Sequence, residues 1–148
     1  MPSVLVDFYH LTRDPAGVVA PRIAERVLAD GGRLLVTHDD EAALAKLDRQ
    51  LWDASPSSFL PHGREGSADD KRQPILLSTG VVAANGARNL LIADGRWREA
   101  GGSFERVFYL FDRDALAGAR DAWRALSKRP DAQCRYWKQD GGRWVQGP

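Results

Sequence analysis

The sequence predicts a single α/β domain, with a mostly parallel central sheet, helices on both faces and a C-terminal hairpin. Continuous apolar runs such as Leu34-Leu35-Val36, Ile75-Leu76-Leu77 and Val107-Phe108-Tyr109-Leu110-Phe111 lack the alternation of a half-solvated sheet, so their strands are covered on both faces. Helically spaced segments are interleaved with strands, the order that yields parallel strands joined by crossovers. The 148 residues, 43% apolar and 28% charged, can bury one core but not two independent ones, so residues 1–148 read as one domain.

The elements follow in order. Val4 to His10 reads as the first strand. A helix from about Pro15 to Asp30 is framed by a proline in its first turn and by Gly31-Gly32 after its end. Arg33 to Thr37 is the second strand. Asp39-Asp40-Glu41 then sets carboxylates where a helix N-terminus favours them, and Leu44, Leu47 and Leu51 give that helix one apolar stripe as far as about Trp52. Residues 53–73 are rich in Ser, Pro, Gly and charge without periodicity and read as a long surface loop, a length uncommon in compact domains unless it serves something. Pro74 to Ser78, Asn89 to Ala93 and Arg106 to Phe111 are buried strands. A last helix from about Asp112 to Lys128 carries Leu116, Ala119, Trp123 and Leu126 on one stripe. Alternation over Gln133 to Lys138, a turn at Asp140-Gly141-Gly142 and alternation over Arg143 to Gln146 form the hairpin.

Charge argues against a general nucleic-acid binder, since 21 Lys/Arg face 20 Asp/Glu. The balance is uneven, however: residues 101–148 hold 9 basic against 6 acidic residues and three of the five tryptophans. Of the basic residues 17 are arginines, which suits bidentate recognition of carboxylates but equally reflects coding bias, so position must decide. The N-terminus lacks a secretory leader, no run is long enough for a membrane span, and the single Cys134 cannot form an internal disulfide; a cytoplasmic protein with no membrane partner is expected.

The first strand leads into Leu11-Thr12-Arg13-Asp14-Pro15 rather than a glycine-rich cradle, so the expected fold is nucleotide-binding-like without a phosphate loop. Asp94, after a buried strand, lacks the phosphate loop that would complete a magnesium site. His10, His38 and His62 lack the spacing of a helical metal pair, and neither a metal nor a cofactor is expected. His10 and His38 each follow a strand at the carboxyl edge where α/β enzymes place their sites. A small enzyme using both is therefore one alternative reading.

Two constellations resemble recognition surfaces. On the last helix Arg113, Arg120, Arg124 and Lys128 are spaced by seven, four and four and share a face, beside Trp123. Guanidinium forks beside an aromatic wall suit a ligand with both carboxylates and an aromatic group. A solvated charged face with Trp123 packed into the core is the ordinary alternative. The second constellation is Trp52 with Phe59, Pro61 and His62, aromatics in a loop with the composition of an interface anchor, unless Trp52 and Phe59 simply fold the loop over the core.

The opening Val-Asp-Phe-Tyr-His-Leu, the Leu47-Asp48-Arg49-Gln50-Leu51-Trp52 helix end, Ser58-Phe59-Leu60-Pro61-His62, Pro74-Ile75-Leu76-Leu77 and the Arg120 to Arg124 helix together resemble the chi subunit of bacterial DNA polymerase III holoenzyme. The likeness runs in order along essentially the whole chain, and Leu-Trp followed by Phe-Leu-Pro-His is its most specific piece. It implies a non-catalytic accessory subunit of a DNA-directed DNA polymerase, with a nucleotide-binding-like fold that holds no nucleotide. It further implies an adaptor in the clamp-loader assembly that joins a psi-type subunit to the acidic, phenylalanine-ended tail of single-stranded-DNA-binding protein and so meets DNA indirectly. On that likeness Arg120, Trp123 and Arg124 match the tail-binding helix. Leu116 stands where a basic residue is expected, a loss that Arg113 or Lys128 would compensate. Trp52, Phe59, Pro61 and His62 match the psi-binding surface, which a repair helicase would share. A direct single-stranded nucleic-acid-binding module is the other alternative.

Overall fold

The structure, a computed structural model, describes residues 3–53, 60–99, 104–141 and 143–147. Among these residues eight strands form one sheet: β1 (Val4–His10), β2 (Leu34–Thr37), β3 (His62–Arg64), β4 (Ile75–Ser78), β5 (Asn89–Ile92), β6 (Arg106–Phe111), β7 (Ala132–Asp140) and β8 (Arg143–Gln146), in the spatial order β3-β4-β2-β5-β6-β1-β7-β8. Every pairing is parallel except β7 with β8, so the expected α/β architecture and hairpin are both present. The hairpin is not an appendage, because β7 also pairs in parallel with β1 along its length and extends the main sheet.

Three α-helices cover the sheet among the described residues: α1 (Ala16–Ala29), α2 (Glu41–Asp53) and α3 (Leu116–Ser127). Helix α1 stops where Gly31 takes a φ of 83° and the Gly32 amide donates back to the Val27 carbonyl, a turn that residues with a Cβ rarely adopt. A 3-10 turn at Arg113–Ala115 leads into α3 and is capped by the Asp112 carboxylate, which accepts from the Asp114 and Ala115 amides.

Strand alternation divides the core in two. Leu34, Val36, Ile75, Leu77 and Tyr9 pack against Val19, Ile23, Val27, Leu44 and Leu47 of α1 and α2. Leu35, Leu76, Phe8, Val107 and Tyr109 pack on the other face against Ala119, Ala122 and Leu126 of α3. Each central strand therefore buries both sets of side chains, which is why its sequence shows an unbroken apolar run. After β1 the chain leaves over the α1 face toward β2, whereas α3 carries β6 across β1 on the opposite face to β7. Clefts consequently open on both sides of the carboxyl end of β1.

The stretch 53–73, expected to be one long loop, contains regular structure. Strand β3 pairs with β4 from His62↔Ile75 to Arg64↔Leu77, Leu60 is buried in the α1/α2 core, and a 3-10 turn occupies Asp70–Arg72. Three residues are too few to display a period, and their polarity suits the edge of a sheet, so composition hid the strand. Residues 54–59, including Phe59, lie outside the described residues.

Candidate functional site

The α3 face carries a groove of about 570 Å³ lined by Phe8 and His10 of β1, Phe111 of β6, Leu116, Ala119, Arg120 and Trp123 of α3, and Tyr136 of β7. Its walls are largely aromatic. Trp123 stands edge-on to Phe8 at 5.0 Å, and His10 stacks on Phe111 at 5.0 Å and 14°. The Tyr136 hydroxyl lies 2.7 Å from His10 Nδ1. Burial pushes the Tyr136 phenol above its ordinary pKa against the opposing pull of Arg120, so it stays a protonated hydroxyl. Sheet alternation explains the assembly: Phe8 and His10 are two apart on β1 and point to the same side, as do Cys134 and Tyr136 on β7.

The helix distributes its cations unequally around this groove. Leu116, Ala119 and Trp123 turn toward the sheet as their spacing implies, and Arg120 stands at the groove's rim. Arg124 is exposed and ion-paired with Asp121 one turn back, while Arg113 and Lys128 are exposed at either end of the helix; none of these three lines the groove. Leu116, where a basic residue was expected, adds an apolar wall.

The second constellation lies across the molecule. Trp52 at the end of α2 is 54% exposed, and its ring lies 4.5 Å from that of His62. His62 is itself buried, with Nδ1 2.7 Å from the Leu60 carbonyl and Nε2 2.9 Å from Asp48 Oδ1. The imidazole is thus a fixed platform beneath the indole, and Pro61 is half-buried next to it.

The carboxyl edge of the sheet carries a further cleft. A crevice of about 420 Å³ there is lined by the β1–α1 turn, His38, Asp94 and Asp112 among others. Its backbone donors are already engaged. Gln139 Oε1, reaching over from β7, accepts from the Thr12, Arg13 and Asp14 amides at 3.2, 3.0 and 3.2 Å, and Gln139 Nε2 donates to Asp14 Oδ2 at 3.0 Å. A side-chain amide thus fills the position a phosphate takes in nucleotide-binding turns. Asp94 is likewise occupied: burial would raise its pKa, but Arg98 and the Arg96 and Asp39 amides outweigh that and hold it below the ordinary value. His38 lines this crevice while His10 lines the α3 groove on the other face, so the two histidines form no acid/base pair.

Comparison with known proteins places the chain in a family. The family model described as DNA polymerase III chi subunit, HolC, matches residues 3–131, from β1 through the end of α3. The chain belongs to the chi family. A Pseudomonas aeruginosa protein named DNA polymerase III subunit chi is 34% identical over 90 residues, 59% of this chain and 61% of that protein. A Haemophilus influenzae protein of the same name is 30% identical over 74 residues, 48% of this chain and 51% of that protein. The chain therefore spans only part of the length of either relative.

Within this chi-family chain, the residues that reading the sequence missed are those contributed to the groove by the sheet. Phe8, Phe111 and Tyr136 come from three strands far apart in the chain, and Tyr136 lies beyond the family match. His10 had stood out only as a candidate general base. The signal that could have found them was the apolar-side parity of β1 and β7, which becomes usable only once those strands are known to be neighbours. Among the described residues no helix is long and apolar enough to cross a membrane.

Proposed function

We propose that this chi-family chain is a non-catalytic adaptor of the DNA polymerase III clamp-loader assembly that binds the acidic, phenylalanine-ended tail of single-stranded-DNA-binding protein in the α3 groove. The observation that carries this reading is the pairing of an aromatic-walled cavity with one guanidinium at its rim. The terminal phenyl ring inserts beside Trp123, Arg120 pairs the terminal carboxylate, and Arg113 and Lys128 steer the acidic segment, with Arg124, already held by Asp121, adding less. Such cooperation suits a peptide whose charge speeds encounter and whose buried aromatic end sets residence. Each exposed ion pair adds only ~0–1 kcal/mol, so the ring dominates affinity.

A psi-type subunit, or a repair helicase sharing its site, docks on the Trp52–His62 platform with Pro61 beside it. An exposed indole held by a buried imidazole has the character of an interface anchor. DNA is reached through these partners, and direct single-stranded DNA binding is weak because so few cations gather on any one face.

The test is calorimetric titration with the last ten residues of the host's single-stranded-DNA-binding protein. Trp123→Ala and Arg120→Ala each weaken binding about tenfold or more, as expected for central contacts, while Arg124→Ala costs less because Asp121 already holds that side chain. Unchanged affinity in both Trp123→Ala and Arg120→Ala refutes the site. Sub-micromolar, salt-sensitive binding of single-stranded DNA by the chain alone refutes the adaptor reading.

A further inference from the structure

The groove contains one polar group that its aromatic character does not require. Of the side chains lining it, only His10, Arg120, Trp123 and Tyr136 carry polar atoms, and His10 comes from the sheet rather than the helix. Its ring is clamped by stacking on Phe111, and Nδ1 is bound to the Tyr136 hydroxyl. With the phenol donating, Nδ1 accepts and the ring proton resides on Nε2, the nitrogen left for a ligand. We propose that His10 is the groove's second carboxylate reader: its Nε2 binds the free α-carboxylate of a docked acidic peptide together with Arg120, and the imidazole takes up a proton as the peptide binds. This inference rests on the proposed function and assigns to it a residue outside the helix.

The charges around His10 set the direction of the coupling. Tyr136 and Lys138 face it from β7, Phe111 and Asp112 from the end of β6, and Arg120 from α3. In the free protein, burial first and the Lys138 ammonium second hold the imidazole below its ordinary pKa of 6.5, with Asp112 opposing. Near neutral pH the ring therefore starts uncharged. A carboxylate at Nε2 favours the imidazolium, whose Nδ1–H then donates to the Tyr136 oxygen after the hydroxyl rotates. Binding raises the pKa of His10, takes up protons and tightens as pH falls. The arrangement also favours a free C-terminus, since removal of the terminal charge removes the incentive to protonate.

The experiment uses the full chain and the acetylated ten-residue tail peptide, with calorimetry at pH 6, 7 and 8 in pairs of buffers that differ in ionisation enthalpy. The wild type is expected to bind about threefold or more tighter at pH 6 than at pH 8, with measurable proton uptake, as follows from a binding-linked pKa increase through this range. In His10→Gln, which retains a hydrogen-bonding side chain but cannot protonate, the pH dependence and the proton uptake disappear; His38 and His62 remain and serve as the internal control. The C-terminal amide of the same peptide binds the wild type more weakly and without proton uptake. Wild-type binding that is abolished by Trp123→Ala but flat with pH overturns this inference and leaves the proposed function standing. An equal pH dependence in His10→Gln also overturns it. Absence of binding at every pH overturns both.

Discussion

Replacing Gln139 tests whether the β1–α1 turn is held by a side chain standing where an anion would otherwise sit. Gln139 is buried near the end of β7, and its amide makes four hydrogen bonds: three accepted from the Thr12, Arg13 and Asp14 amides and one donated to Asp14. With a net ~0.5–1.5 kcal/mol for each bond, and water able to recover part of the loss at this half-buried turn, Gln139→Ala should destabilise the fold by about 2–4 kcal/mol. Gln139→Leu should cost at least as much, although it keeps more volume, because an apolar cap over three amides also keeps water from them. Equilibrium urea denaturation, with an unchanged denaturant slope, provides both values. The groove should tolerate the change, since Gln139 faces α1 while Tyr136 and His10 meet on the α3 side, and tail-peptide affinity should stay within about twofold of the wild type. Losses below about 0.5 kcal/mol in both variants, or a milder effect in Gln139→Leu than in Gln139→Ala, would refute the argument.

Two further predictions concern the core. Asp7 is fully buried in β1; burial alone would raise its pKa, but hydrogen bonds from Arg135, Trp137 and Arg106 outweigh that and hold it below 3.8. Its contribution is therefore complete above about pH 4 and is lost as pH falls through the lowered folded value. Asp7→Ala, which leaves two guanidinium groups without their shared carboxylate, should cost about 3–5 kcal/mol at pH 7 and flatten the acid limb of the stability curve; an acid limb as steep as the wild type's would count against this assignment. Thr37 is also fully buried, and its hydroxyl has no hydrogen-bond partner among the described residues. Thr37→Val keeps the shape, removes the unpaired group and should stabilise by about 1 kcal/mol, seen as a higher Tm; a lower Tm would mean that the hydroxyl has a partner, such as a buried water.

Most strands and helices were legible because each rests on a local signal, such as the leucine stripe of α2 or the apolar run of β4. What remained hidden depends on which strands become neighbours. Strand β3 escaped because its three residues, His-Gly-Arg, acquire strand character only by pairing with Ile75–Leu77. Asp7 sits inside the first strand, and nothing local joins it to Arg106 and Arg135, about a hundred or more residues away in sequence yet on the strands that flank β1. Helix α3 was half legible. Its stripe marked Trp123 and its charges marked Arg120, and the three-residue spacing of Asp121 and Arg124 could have marked their ion pair, but nothing on the helix could show that the groove's other wall is sheet.

Internal ion pairs also change what the near-neutral charge means. Arg106 and Arg135 are held by Asp7, Arg98 by Asp94 and Asp39, Arg88 by Glu105, and Arg129 by Asp131 and Glu99. These arginines neutralise the chain's own carboxylates and project little field. On α3 and its leading turn, Arg113, Arg120 and Lys128 form no ion pair among the described residues, so their field is directed outward beside the groove. A chain of net charge +1 can therefore steer an acidic peptide to one helix, because field depends on which charges are compensated locally rather than on the total. The same accounting disfavours a nucleic-acid backbone, which needs a continuous track of uncompensated cations, whereas a short acidic peptide needs only a few beside a cavity for its aromatic end.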